Sequence, residues 1–117
     1  MSERSAGTGN SLVVVYRVVD AVELTYLETY GDYGSNPSKS GKYFALTLDG
    51  ARAFARAPFN RFATITRTSL PDSLLRKGVL FNDPGRNGAG MSVFFSEEQL
   101  AEVYGTMSPP VAWNGAP

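Results

Sequence analysis

The segment GKYFALTLD at positions 41–49, followed closely by ARAFA at positions 51–55, decides how this chain folds. From Tyr43 to Leu48 the residues are aromatic, apolar or β-branched, as in a short strand. Asp49 is a favourable N-cap residue, and small and aromatic residues recur at helical spacing after it, so a helix should run from Gly50 to Arg56. The segment therefore predicts a strand that turns directly into a helix.

The rest of the chain contains further strand and helix patterns. The apolar run from Leu12 to Val19 predicts a buried strand. Asp20 with Glu23 three residues later is a capping-box pattern, which predicts a helix that ends at about Tyr30. Further along we expect strands at 61–68, 79–81 and 91–95, a short helix at 70–75 and a helix at 97–104. The order is therefore strand, helix, strand, helix and then mostly strands with short helical pieces, which predicts an α+β domain.

The helix after Asp20 carries Val22, Tyr26 and Tyr30 at every fourth position, which places them on one face. We expect Tyr26 and Tyr30 to pack into the core through this face. The alternative is that the two tyrosines form an aromatic contact surface together with Tyr33.

The length of 117 residues fits one domain with a modest core. We expect a disordered N-terminal lead-in at 1–10, a single catalytic-type domain at 11–107 and an extended C-terminal tail at 108–117, in which Trp113 packs back on the domain. The lead-in lacks the apolar core of a signal peptide, and no window has the apolar length that crosses a bilayer.

Composition excludes several kinds of chemistry. The chain has no Cys and no His, so it has no disulfide, no thiolate nucleophile, no Ser-His-Asp triad and no imidazole-based metal site. With 11 basic and 11 acidic residues its formal net charge is 0, which disfavours nucleic-acid and membrane partners. The remaining side chains suit an enzyme whose substrate brings its own leaving group, and they suit a binding domain equally well.

Four residues are candidates for a site. Arg17 lies late in an apolar strand, where an unpaired guanidinium is expensive to bury; it would either clamp a phosphate or ribose oxygen or pair with a surface carboxylate. Tyr43 and Phe44 would offer a platform to a flat ring or pack in a core. Thr47 would donate a hydrogen bond at the same strand end or cap a helix.

In combination, these residues resemble the nicotinamide-binding centre of ADP-ribosyltransferases. The pair Tyr16-Arg17 is similar to the element that ends the first strand of many of these enzymes. The segment GKYFA at 41–45 with Thr47, followed by ARAFA at 51–55, is similar to their second element. Over residues 14–104 the order of elements resembles small toxin domains at the C-termini of bacterial Rhs-type polymorphic toxins.

The resemblance implies an ADP-ribosyltransferase-like α+β fold of two packed, mainly antiparallel sheets with short peripheral helices. It implies transfer of ADP-ribose from NAD, used as a substrate and without a metal, to a macromolecular acceptor (protein or RNA) in a competing bacterium. It also implies a larger delivery protein, an immunity protein, no membrane partner, and a secreted or delivered effector that acts in the target-cell cytoplasm.

The resemblance also assigns roles to the candidate residues. Arg17 would hold the phosphate or ribose of NAD and take part in catalysis, Tyr43 would stack on nicotinamide, and Thr47 would support them. The full set of residues that would bind the cofactor is Tyr16, Arg17, Tyr43, Phe44 and Thr47.

The acidic element of the family is the point where this chain differs. The family's acid lies near the start of a late strand, where this chain has Met91 or Ser92. The nearest acids are Glu97 and Glu98, which are the candidates for the catalytic acid; the alternative is that they only favour the first turn of a helix. This difference is consistent with an unusual acid placement, a transferase that works without the acid, or an inactive variant.

Two other functions stay open. A metal-independent ribonuclease toxin would use Arg17, Tyr43 and a Glu for in-line cleavage of RNA, although the neutral net charge disfavours it. A non-enzymatic binding module on the same fold would explain the absence of an acid from the last strand.

Overall fold

The computed structural model of the protein describes residues 11–35, 40–56, 63–83 and 90–113. The bounds of the strands and helices are β1 Leu12–Val19, α1 Ala21–Tyr30, β2 Gly41–Ala45, α2 Leu48–Ala55, β3 Thr64–Pro71, α3 Asp72–Leu75, β4 Val79–Asp83, β5 Gly90–Ser96, α4 Glu97–Thr106 and β6 Val111–Ala112. Among the described residues, short helices connect the strands except between β4 and β5, and the architecture is of the predicted α+β class. None of the helices in the described part is both long enough and apolar enough to cross a membrane.

All described strands belong to one antiparallel sheet in the order β4-β5-β2-β1-β3-β6. The prediction of two packed sheets is therefore wrong for this part of the chain, because β1 pairs with β3 on one edge and with β2 on the other. The central junction is narrow: β1 and β2 share one registered pair, Tyr16↔Ala45, whereas β1 and β3 are in register from Leu12↔Pro71 to Val19↔Thr64. The sheet thus consists of two three-stranded halves joined at one pair.

Each face of the sheet has its own core, because alternate residues of a strand point to opposite faces. The face covered by α1, α3 and α4 holds the larger core, which includes Val15, Val19, Phe44, Val93 and Phe95 from the strands. The opposite face holds a smaller core of Ala45, Ala51 and Ile65, which α2 covers. Trp113 packs against this second core, and its ring centroid lies 4.8 Å from the Cζ of Arg52, which confirms the prediction for Trp113.

The turn from β2 into α2 comes earlier than predicted. β2 ends at Ala45 rather than Leu48, and α2 begins at Leu48. The N-cap is Thr47, whose Oγ1 accepts a hydrogen bond from the backbone N–H of Gly50 at 3.0 Å. Asp49, the predicted cap, lies exposed in the first turn. Both residue types are good caps, so the choice between them depends on where the strand stops.

The core packing predicted for Tyr26 and Tyr30 is wrong. These side chains are 40% and 66% exposed, and their ring centroids are 4.5 Å apart on the outside of α1. α1 instead packs through Leu27, with Leu24 at the edge of the core. The helix has apolar residues on more than one face, so periodicity alone did not decide which face would be buried.

Candidate functional site

Arg17 joins the two halves of the sheet. Its side chain lies on the face covered by α1, where its guanidinium forms a bidentate ion pair with Glu23: Nε to Oε2 is 2.5 Å and Nη2 to Oε1 is 2.9 Å. The Nη1 group donates a hydrogen bond to the backbone carbonyl of Tyr43 at 2.9 Å. Arg17 on β1 therefore contacts the backbone of β2 beside the single registered pair that connects these strands.

The local sequence places Glu23 opposite Arg17. Asp20 ends the extended chain after β1 and caps α1 by accepting a hydrogen bond from the backbone N–H of Glu23 at 2.8 Å. This turn brings the first turn of α1 back over the end of β1. Glu23 supplies the carboxylate of the site, although its sequence position indicated only a capping role. The short connection from the end of β1 into α1 was the sequence feature that could have indicated its pairing with Arg17.

Lys42 completes the cluster, a role that was not predicted from the sequence. Its Nζ lies 3.3 Å from Oε1 of Glu23, and the residue is only 3% exposed. Burial, and then the neighbouring charge of Arg17, lower the pKa of Lys42, whereas Glu23 and Glu97 act in the opposite direction. The alternation of side chains along a strand could have predicted its burial, because Lys42 lies two residues before the core residue Phe44 and so shares its face.

A cavity of about 590 Å³ opens beside this cluster. Arg17, Glu23 and Lys42 line it, Tyr26 provides exposed aromatic surface, and the buried Tyr33 borders it. Its volume is in the range of sites for small molecules and cofactors. The lining carries two positive charges, on Arg17 and Lys42, and two negative charges, on Asp20 and Glu23. The two cations lie together on Glu23, and they are the groups suited to an oxyanion that is attached to an apolar or aromatic group.

Tyr33 forms the inner wall of the cavity. Its ring lies edge-on to Phe44 with centroids 5.6 Å apart, and its centroid is 5.9 Å from the Cζ of Arg17. Its hydroxyl lies 2.7 Å from Oγ1 of Thr66, which itself donates to the carbonyl of Arg17. Burial is the main cause that raises the pKa of Tyr33 to about 12. The neutral phenol is thus part of the packing that holds Arg17 in place.

We expect stability to fall as the pH rises from about 10 toward about 12, because Tyr33 keeps its proton in the folded state. Since the folded pKa lies above the ordinary value of 10.0, the folded state binds a proton that the unfolded state loses, and unfolding becomes easier through this window. Urea titrations across the window should give a shallower decline for Tyr33→Phe than for the wild type. Tyr30→Phe, at an exposed position, should leave the slope unchanged; equal slopes for all three proteins would contradict the assignment.

The ring of Tyr43 lies on the other face of the sheet from Arg17. The register Tyr16↔Ala45 and the alternation of side chains place it there. Its side chain is 49% exposed, and its ring centroid is 4.7 Å from that of Phe94 and 5.6 Å from that of Phe81. The structure thus brings the carbonyl of Tyr43 to Arg17, but not its ring.

The other predicted cofactor-binding residues are dispersed. Phe44 shares the face of Arg17, but it is fully buried in the core. Tyr16 is partly buried and packs against the smaller core on the opposite face. The hydroxyl of Thr47 caps α2. None of these three side chains lines the cavity beside Arg17.

The two predicted acids differ in their distance from the cluster. Glu97 begins α4, is partly buried, and donates its backbone N–H to the carbonyl of Ser40 at 2.9 Å. Its carboxylate is near enough to Lys42 to affect the pKa of that ammonium group. Glu98 is exposed. Of the two, Glu97 lies on the side of the candidate site.

Within the described residues, no group of three or more His, Cys, Asp or Glu side chains is arranged to hold a metal ion. Comparison of the chain with protein-family models, with curated proteins and with solved structures gives no match. The candidate site consists of Arg17, Glu23 and Lys42 beside a cavity that Tyr26 and Tyr33 border, and the backbone N–H of Glu97 binds the carbonyl of Ser40 just before β2.

Proposed function

We propose that this chain is an ADP-ribosyltransferase domain that transfers ADP-ribose from NAD to a macromolecular acceptor. The observation that carries the proposal is the position of Arg17, late in the first strand and facing a cavity of about 590 Å³. NAD presents a diphosphate and two flat rings. Arg17 and Lys42 suit the diphosphate, and Tyr26, which is 40% exposed, offers surface to a ring.

We also propose that the domain has an ADP-ribosyltransferase-like fold. In an ADP-ribosyltransferase-like fold, the halves β4-β5-β2 and β1-β3-β6 would correspond to the two sheets of the family. The single registered pair between β1 and β2 supports this correspondence, since the strands are free of further pairing beside Arg17. A ligand would then contact both halves from one cavity.

The proposed reaction breaks the bond between the ribose and the nicotinamide nitrogen. Nicotinamide leaves with the bonding electron pair, and a nucleophilic oxygen or nitrogen of the acceptor attacks the ribose carbon and loses its proton. Arg17 would fix the phosphates so that the ribose meets a carboxylate that stabilises its developing positive charge. Glu97 is our candidate for this carboxylate because its backbone N–H binds Ser40 beside β2 and its charge acts on Lys42, although it does not line the cavity.

The biological setting follows the toxins that this chain resembles. A larger delivery protein would carry the domain into the cytoplasm of a competing bacterium, where it modifies a protein or an RNA. The producing cell would hold an immunity protein that neutralises it.

Transfer of labelled ADP-ribose from tagged NAD into a bacterial lysate tests the proposal. The wild type should label an acceptor, and Arg17→Lys should reduce the rate at least about tenfold, because lysine lacks the bidentate fork. Arg76→Lys, an exposed arginine paired with Asp72, is the matched control and should label normally. No labelling by the folded wild type, with no thermal shift by NAD, would refute the proposal.

Tyr43→Ala adds a second test in the same assay, because the Tyr43 ring and the cavity lie on opposite faces. If NAD occupies the cavity, this variant should retain labelling. Loss of labelling by a folded Tyr43→Ala variant would instead place nicotinamide against Tyr43, Phe81 and Phe94 on the other face.

A non-enzymatic binding module is the second candidate, and two observations favour it. The guanidinium of Arg17 already has Glu23 and the carbonyl of Tyr43 as partners. In addition, β5 carries no acidic residue. A ligand that stabilises the protein without any transfer from NAD would favour this function.

A further inference from the structure

We propose that Arg17 and Lys42 form a two-cation site for the phosphate groups of a nucleotide, and that Glu23 occupies this site until the ligand displaces it. The inference rests on the proposed function in that it identifies which residues of the same cavity receive the diphosphate of NAD. It adds a specific role for Lys42 and a competing role for Glu23, neither of which the resemblance assigns.

The geometry of Glu23 is that of a bound oxyanion. Its two oxygens accept hydrogen bonds from Nε and Nη2 of Arg17, and Oε1 also lies 3.3 Å from Nζ of Lys42. A phosphate group offers oxygens at a similar spacing to both cations. Because arginine binds carboxylates and phosphates through the same planar fork, a phosphate is able to replace the carboxylate oxygen for oxygen.

Charge and burial indicate that the carboxylate of Glu23 alone does not balance the two cations. Two cations share one carboxylate, and Lys42 is almost completely buried although its ammonium group has three donors. The carboxylate of Glu23, at 3.3 Å from Nζ of Lys42, is shared with the guanidinium of Arg17. A phosphate group would bring several charged oxygens to the two cations, and so would offset the lost hydration of Lys42 better than one shared carboxylate does.

The position of Glu23 permits the exchange. It lies in the first turn of α1, its side chain lines the open cavity, and the cap of α1 uses the Asp20 carboxylate and the Glu23 backbone N–H. Rotation of the Glu23 side chain therefore leaves the helix cap intact. Asp20 also lines the cavity, so the diphosphate must approach the two cations from the side away from that carboxylate.

Inorganic pyrophosphate is the probe, at constant ionic strength. It should raise the melting temperature of the wild type, and it should raise that of Glu23→Gln more, with at least about tenfold tighter binding, since the competing charge is gone. Lys42→Met retains the pair between Arg17 and Glu23, so it should fold, and it should lose most of the pyrophosphate-induced shift. The exposed pair Lys77 and Glu102 provides the controls, as Lys77→Met and Glu102→Gln should respond like the wild type.

Several outcomes overturn the inference. It fails if pyrophosphate shifts neither the wild type nor Glu23→Gln, if both shift equally, or if Lys42→Met responds like the wild type. Labelling from NAD by Lys42→Met with an unchanged KM would also refute it while the proposed function stands. Conversely, the expected pyrophosphate pattern without any binding or transfer of NAD would support the two-cation site and refute the transferase.

Discussion

Replacement of Gly41 by alanine is expected to destabilise the domain by about 4 kcal/mol. Gly41 begins β2 with φ of 152°, a backbone conformation that residues with a side chain rarely adopt. An added Cβ would lie 2.0 Å from the carbonyl oxygen of Phe95 and 2.8 Å from Cζ of Phe94. Because the closest atom belongs to the backbone of β5, it moves only if the pairing of β2 with β5 is disturbed.

The expected loss combines two costs. Backbone strain at such a φ costs about 1–3 kcal/mol, and forcing an atom into filled space costs about 1–3 kcal/mol more. A total near 4 kcal/mol is a large part of the roughly 5–15 kcal/mol that stabilises a typical domain. We expect the substitution to displace the side chain of Lys42 in the candidate site as well, because Lys42 follows Gly41 directly in β2.

Gly105→Ala is the matched control for this substitution. Gly105 lies in α4, and an added Cβ would meet nothing within 4 Å. Alanine is favoured over glycine within helices by about 0.5–1 kcal/mol, so this variant should be slightly more stable. Urea unfolding followed by circular dichroism compares the two variants. A loss of about 0.5 kcal/mol or less for Gly41→Ala, the effect of an ordinary surface change, would contradict the close approach of β2 and β5.

The features that the sequence predicted well are local. Asp20 caps α1 and Ser96 forms a capping box with Gln99 at the start of α4, because each cap requires only residues within one turn. The reciprocal half of the box predicted at α1 does not form, since the Glu23 side chain pairs with Arg17 instead. The α+β class also follows from the order of local patterns. The sheet order does not, since the single pair between β1 and β2 depends on where the whole of each strand packs.

The candidate site was predictable only in part, for the same reason. Arg17 was identified because a guanidinium in an apolar strand needs a partner, but the choice of Glu23 depends on how α1 folds back. The burial of Lys42 was not predicted, because a lysine is ordinarily expected on the exposed face of a strand. Tyr43 was assigned to the site from its neighbours in sequence, whereas the pleat turns its ring to the other face.

Removal of the charge of Arg17 is the second change with a large expected effect. Arg17→Met leaves the carboxylate of Glu23 partly buried with only Lys42 as its cation, and it removes the hydrogen bond to the carbonyl of Tyr43. Loss of one member of a buried ion pair destabilises proteins by about 3–5 kcal/mol. Both side chains here keep slight exposure, 13% and 17%, so we expect a loss of about 3 kcal/mol.

A double-mutant cycle separates the ion pair from the other contacts of Arg17. Glu23→Gln alone should also destabilise, because it leaves two cations without their carboxylate, but the double variant should lose less than the sum by about 2 kcal/mol. The same cycle on Lys77 and Glu102, an exposed pair, should give a coupling of about 0–1 kcal/mol. A coupling between Arg17 and Glu23 as small as that of the control would mean that the cluster does not join α1 to the sheet. The coupling expected here would instead mean that any anion that displaces Glu23 must bind strongly enough to replace that stabilisation, which limits the ligand to one with several charged oxygens.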